Sequence, residues 1–295
     1  MARASWRRCA SRAHSRRSVD AGGGAQRGAP APQALRATLS ARPADRGPYR
    51  AGARARAGDH LVEIGPGRGA LTDRLLALPG CTLDAIEIDR DLAAQLRARF
   101  ADPPRHALHQ GDALDFDFTA LARLRGGRLR IVGNLPYNIS TPLLFHLLQH
   151  TGAILDLTLM LQREVAARLT ATAGDADYGR LGVMLAPRVQ VQRLFDVGPG
   201  AFQPAPRVWS AVVRLTVRIP PLFPVSPHYA AVVAAAFTQR RKTLRNALSQ
   251  LLTPEQMRAC GIDPGVRPGT LTPQAFNTLA QMLERAALDR TSAGR

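Results

Sequence analysis

The sequence predicts an α/β protein: a mostly parallel sheet, followed by a small all-helical C-terminal domain. Three observations carry this. From Gly58 onward, short β-like runs alternate with helical ones, the pattern of parallel strands joined by helical crossovers. The turn after the first run is rich in glycine. Beyond a proline-rich stretch at 219–227, every segment reads as helix.

Taken in order, His60–Ile64 is the first strand, 70–78 a helix, 82–88 a second strand and 89–100 a helix, with a short strand before Asp112. Residues 130–133 are a fourth strand, 141–150 a helix, 154–161 a fifth strand and 162–170 a helix. The β-rich alternation over 208–219 predicts an antiparallel strand or hairpin that ends the sheet. Ile219-Pro-Pro-Leu-Phe-Pro-Val-Ser-Pro227 is a linker, and helices follow over 229–239, 243–252, 254–260 and 273–287. Thr253-Pro254 and Thr272-Pro273 each place an N-cap residue before a proline at the first helical position. The plan is an α/β domain over 58–219 and a helical domain over 220–295, preceded by a segment 1–57 of different character.

That segment carries much of the charge. The chain of 295 residues has a formal net charge of +18, and residues 1–58 hold 13 Arg against 2 acids, net +11. Six large apolar side chains there (Met1, Trp6, Val19, Leu35, Leu39, Tyr49) do not offset roughly 1–2 kcal/mol per residue of backbone ordering, so disorder is predicted. The same Arg- and Ser-rich, acid-poor texture suits a mitochondrial transit peptide or a GC-rich gene read in a shifted frame; these readings stay open. An excess of +18 favours polyanionic partners such as nucleic acid. No run approaches the roughly 18 apolar residues of a membrane span. Cys9, Cys81 and Cys260 are far apart without a C-x-x-C spacing, which supports neither disulfides nor zinc and suits a reducing cytoplasm. The pairs His106/His109 and His146/His150 lack a third ligand, so no metal is expected.

The turn after the first strand reads Glu63-Ile-Gly65-Pro66-Gly67-Arg68-Gly69-Ala70. It satisfies the dinucleotide G-x-G-x-x-G/A pattern, and Glu87, about 20 residues on, suits a ribose hydroxyl in a nicotinamide enzyme or a methyltransferase alike. Two local features separate these. Pro66 removes a backbone donor from a phosphate cradle, and Glu63 sets a carboxylate where a pyrophosphate would lie. S-adenosylmethionine carries an ammonium and a sulfonium and no phosphate, so a carboxylate suits it. Asp112, after the third strand, can accept from an adenine amine, although Asp is equally at home as a turn or helix cap.

The decisive run is Gly133-Asn134-Leu135-Pro136-Tyr137, where the fourth strand ends and open α/β folds bind ligands. An adenine amine is a poor nucleophile because its lone pair is delocalised into the ring. If the Asn134 side-chain oxygen and a neighbouring backbone carbonyl accept its hydrogens, the nitrogen is held near tetrahedral with its lone pair free to react. Tyr137 can stack on the purine and Pro136 stiffens the turn. In the second half, Gln239-Arg240-Arg241-Lys242-Thr243-Leu244-Arg245 is predicted to put Arg241 and Arg245 on one helical face beside Arg240 and Lys242, a stripe able to neutralise phosphates.

From about Gly58 to Leu288 the chain resembles the KsgA/RsmA family of ribosomal RNA adenine dimethyltransferases, relatives of the Erm enzymes. Besides the two motifs above, the resemblance rests on Leu161-Gln-Arg-Glu-Val-Ala-Ala-Arg-Leu169, Asp177-Tyr-Gly-Arg-Leu181, Phe202-Gln-Pro-Ala-Pro-Arg-Val-Trp-Ser210, Phe237-Thr-Gln-Arg-Arg-Lys-Thr-Leu-Arg-Asn246 and Gly261-Ile-Asp-Pro264. It implies a Rossmann-like S-adenosylmethionine-dependent methyltransferase sheet and a helical RNA-binding domain. The implied reaction is dimethylation of two adjacent adenosines near the 3′ end of 16S rRNA in the 30S subunit, by a cytoplasmic monomer. By position it implies that Glu63, Gly65, Gly67, Glu87, Asp112 and Asn134 lie along the cofactor. Asn134, Leu135 through its carbonyl, Pro136 and Tyr137 would hold the target adenine, with Phe202 a second stacking surface. Family members usually open with K-x-x-G-Q-x-F-L, which nothing in 1–58 matches; this predicts a cofactor pocket lacking part of its wall, and weakened cofactor binding. A non-catalytic RNA-binding assembly factor that kept the fold is the alternative.

Overall fold

The computed structural model describes residues 38–39, 54–100, 105–136 and 139–293. Seven strands form one sheet: β1 His60–Ile64, β2 Thr82–Glu87, β3 His106–Gln110, β4 Leu129–Asn134, β5 Ile154–Gln162, β6 Val189–Val197 and β7 Ser210–Val217. Their spatial order is β3-β2-β1-β4-β5-β7-β6. The first five run parallel, and β7 lies antiparallel between β5 and β6. Strand order reverses between β1 and β4, which opens a crevice beyond Ile64 and Asn134 at the strands' C-terminal ends.

The central strands are nearly continuous apolar runs because helices cover both faces. Val62, Ile64, Ile131, Leu157 and Leu159 join one core, while Leu61, Leu83, Val132, Met160 and Val212 join the other. Complete burial of each such side chain contributes about 1.5–3 kcal/mol. The covering helices are α1 Thr72–Leu76, α2 Arg90–Arg99, α3 Phe118–Arg125, α4 Ser140–Leu147, α5 Arg163–Thr170 and α6 Arg180–Leu185. The helix predicted over 70–78 is thus only one turn and a half. Neither α3 nor α6 nor the edge strand β6 was among the sequence expectations; the antiparallel strand or hairpin expected over 208–219 is the single antiparallel strand β7, which lies inside the sheet rather than ending it.

The C-terminal part comprises α7 Tyr229–Thr238, α8 Leu244–Ala247, α9 Pro254–Ala259 and α10 Pro273–Ala293. Val232, Val233 and Ala236 of α7 pack on Phe276, Leu279, Ala280 and Leu283 of α10 at helical spacing. Tyr178, Val183 and Met184 belong to this second core, although they precede the linker in sequence. Two buried phenols tie the parts together: Tyr229 donates to the Val183 carbonyl at 2.8 Å, and Tyr178 to that of Leu271 at 2.7 Å. Burial holds both phenols well above their ordinary range.

Most of the segment expected to be disordered lies outside the described residues. Within it, Thr38–Leu39 pairs antiparallel with Gln203 and Phe202. Residues just before Gly58 are anchored: the Arg56 amide donates to Asp59 at 2.6 Å, the Cys81 thiol reaches the Arg56 carbonyl at 3.1 Å, and Ala55 packs on the core.

Candidate active site

Gly65 and Gly67 adopt φ of +68° and +59°, the left-handed region that costs a side chain about 1–2 kcal/mol. A Cβ at either would meet nothing within 4 Å, so this turn faces open space rather than packed protein. Glu87, at the end of β2, fixes the turn from the neighbouring strand. One carboxylate oxygen accepts the Gly67 amide at 3.1 Å and the other accepts the Asp89 amide at 2.9 Å. Each oxygen retains a second lone pair for a hydroxyl. The next residue, Ile88, is 61% exposed; an uncovered aliphatic side chain beside a ligand crevice was missed in the sequence, where it read as the last strand residue. Asp112 follows β3 and accepts the Leu114 amide at 2.9 Å. The turn role weighed for it is therefore real for one oxygen, while the helix that follows is capped by Asp117.

Glu63 is 1% exposed and accepts a 2.7 Å hydrogen bond from the Thr72 hydroxyl of α1. Burial pushes its carboxyl up to about 8; the Thr72 bond opposes the shift, while the charges of Asp73 and Glu87 add to it. A cation in the crevice would draw the proton off. A glycine turn with open space over it, a hydroxyl acceptor at Glu87 and an acid that ionises beside a cation together fit S-adenosylmethionine.

Across the switch point, Gly133 pairs with Ile64, which brings the end of β4 beside the glycine turn. Asn134 is half-buried as the last residue of β4, opposite Met160. Leu135 is 1% exposed, and its amide donates to the Met160 carbonyl at 3.1 Å, so the turn is pinned to β5. The Pro136 carbonyl accepts from the Ile139 amide at 3.1 Å and from the Ser140 hydroxyl at 3.3 Å, which starts α4. Tyr137 lies outside the described residues. Phe202 is buried among Leu61, Val132 and Val212 rather than set on an open surface.

Arg240, Arg241, Lys242 and Arg245 are all exposed. They do not share one helical face: α7 ends at Thr238, 239–243 form a turn closed by the Lys242 amide on the Gln239 carbonyl at 2.8 Å, and Arg245 begins anew in α8. At this break the Arg240 guanidinium donates to the Ala176 carbonyl at 2.5 Å. The histidines each have an ordinary partner: His106 with the Phe100 carbonyl, His109 with Asp84, His146 with the Phe116 carbonyl and His150 with Thr119.

A parallel sheet whose order reverses beside an open glycine turn, closed by an antiparallel seventh strand, defines a Rossmann-like methyltransferase. The match then narrows. Residues 52–285 fit the family described as ribosomal RNA adenine dimethylase, and the chain belongs to that family. It is 52% identical over 236 residues to the ribosomal RNA small subunit methyltransferase A of Pseudomonas aeruginosa, across 78% of this chain and 85% of that one. To the protein of the same name from Methylococcus capsulatus it is 54% identical over 226 residues, across 76% and 87%. Among solved structures, a dimethyladenosine transferase from Plasmodium falciparum shares the fold, with a TM-score of 0.73 at 23% identity over 85% of this chain and 98% of that one. The 23S rRNA methyltransferase ErmE has a TM-score of 0.63 at 25% identity over 83% and 99%.

Proposed function

We propose that the chain uses S-adenosylmethionine to dimethylate the N6 amines of two adjacent adenosines near the 3′ end of 16S rRNA, on the assembling 30S subunit, as a cytoplasmic monomer. The observation that supports this best is the pairing of Ile64 with Gly133, which brings the glycine turn at 65–69 and the turn at 134–136 side by side at one sheet edge. Gly65 and Gly67 let the cofactor lie against backbone, Glu87 takes its ribose, Asp112 its adenine amine and Ile88 the apolar ring face. Bound there, the cofactor supplies an electrophilic methyl group. The target adenosine leaves its stack to enter, at a cost of a few kcal/mol that is smaller in a loop. The Asn134 side-chain oxygen and the Leu135 carbonyl hold the amine hydrogens, and Pro136 and Tyr137 confine the ring. After the first methyl only one N–H remains, so the second transfer needs a rotated amine in the same grip. We assign residues 58–219 the chemistry and 220–295 the RNA contacts, with Arg240, Arg241, Lys242 and Arg245 meeting phosphates.

Replacing Asn134 with Ala tests this. Methyl transfer to undermethylated 30S particles should fall by at least about 100-fold, as on losing one positioned polar group in a water-excluded site. Cofactor binding should stay within a few-fold. Retained turnover would remove Asn134 from the reaction.

A further inference from the structure

The loop leading into β7 carries three consecutive exposed residues, Arg207, Val208 and Trp209. Trp209 is 50% exposed and Val208 42%, two adjacent large apolar side chains left uncovered. Their place in the fold matters more than their exposure. Ser210 pairs with Gln162, the last residue of β5, so Trp209 stands just beyond the C-terminal end of the parallel strands, on the same sheet edge as Asn134. The registers Asn134 to Met160 and Met160 to Val212 put Trp209 two strands across and three residues along from Asn134. At about 4.8 Å per strand and about 3.3 Å per residue, the two backbones are roughly 14 Å apart.

The indole is also held. The Trp209 carbonyl accepts the Arg163 amide at 2.9 Å, tying the loop to the start of α5. Its six-membered ring lies 3.6 to 3.9 Å from where a Cβ on Gly198 would sit, so one part of the ring rests on that backbone while half of the side chain faces solvent. Arg163 and Arg207 flank it, both exposed, and among the described residues no carboxylate pairs with either guanidinium. A braced aromatic ring between unpaired cations, beside a reacting edge, is the make-up of a single-strand nucleic acid platform.

We infer that Trp209 is a stacking surface for an unpaired base of the RNA that flanks the target adenosine, with Arg163 and Arg207 on the adjoining phosphates. This rests on the RNA-methylating reading above and extends its RNA contact to the catalytic edge itself. The chain has two tryptophans, Trp6 and Trp209, so a Trp6→Phe background makes Trp209 the sole indole reporter. In that background we expect oligoadenylate to quench the fluorescence. Trp209→Ala should weaken oligoadenylate binding about 5- to 150-fold, the worth of one base stacked on an aromatic ring, and raise KM for undermethylated 30S particles with kcat little changed. Trp209→Phe should restore most of both. Unquenched fluorescence, or Trp209→Ala affinity within twofold of the parent, overturns the proposal; so does loss of concentration-dependent self-association in Trp209→Ala with RNA affinity unchanged, which would make the patch a protein contact. If quenching occurs while the parent chain methylates nothing, the platform stands and the catalytic reading falls. If methylation is normal and quenching absent, the reverse holds.

Discussion

At the scale of single residues, the buried Glu63 carboxyl links stability to pH and, on the proposed reading, to the cofactor. Free in an unfolded chain its carboxyl titrates near 4.5, whereas in the folded protein burial holds it to about 8. Between those values the folded state keeps a proton that the unfolded state has lost. Stability therefore falls as pH rises through the window, by up to about 1.4 kcal/mol per pH unit. Glu63→Gln, neutral at every pH, should flatten that slope in thermal unfolding measured from pH 5 to 8. The same proton should leave when a cationic cofactor binds. Calorimetric titration of S-adenosylmethionine at pH 7 in buffers of different ionisation enthalpy should report close to one proton released by the parent chain and none by Glu63→Gln; equal heats in all buffers would break the link.

At the scale of elements, local chemistry accounts for what was legible and tertiary packing for what was not. Thr253 and Pro254 announce α9, and the structure completes a capping box in which the Thr253 hydroxyl accepts the Gln256 amide while Gln256 reaches back to the Thr253 amide at 2.9 Å. Thr253→Ala should cost about 1 kcal/mol in denaturant unfolding. The motif at Gly133 to Pro136 was equally readable, because a strand end and a turn are set by a few adjacent residues. Asp117 and Gly126 cap α3 at both ends, with the Asp117 carboxylate accepting two amides at 2.9 Å and Gly126 at φ +75°; that helix was readable and was overlooked. The alternation Val-Gln-Val-Gln in β6 was likewise present in the sequence. By contrast α6 was not readable. Its six residues are apolar nearly all round because Leu181 and Leu185 face the sheet while Val183 and Met184 face the C-terminal core. Gly182 lets it approach α5, where an added Cβ would sit 2.9 Å from the Arg168 carbonyl. Gly182→Ala should therefore destabilise the protein by more than the propensity gain of alanine, about 1 kcal/mol, offers in return. At the helix break over 239–243 there is likewise a remote contact, that of Arg240 with the Ala176 carbonyl.

At the scale of the whole molecule, the +18 charge governs how RNA arrives. Affinity for RNA should fall linearly on a log–log plot against salt, with each of Arg240, Arg241, Lys242 and Arg245 contributing close to one unit of slope if it meets a phosphate. Lys242→Ala should lower the slope by about one unit without changing which adenosines are modified, as measured by filter binding from 50 to 300 mM salt, a range of about one Debye-length halving. Because α6 is shared between two cores, the parts should also melt together, in one calorimetric transition. The wider consequence of that shared helix concerns measurement rather than strength. With Tyr178 and Tyr229 tying the C-terminal helices to the rest of the fold and Arg240 tying the basic turn to Ala176, the distance from that turn to Asn134 is fixed by the protein itself, so on the proposed reading an RNA that meets both is measured against a rigid span.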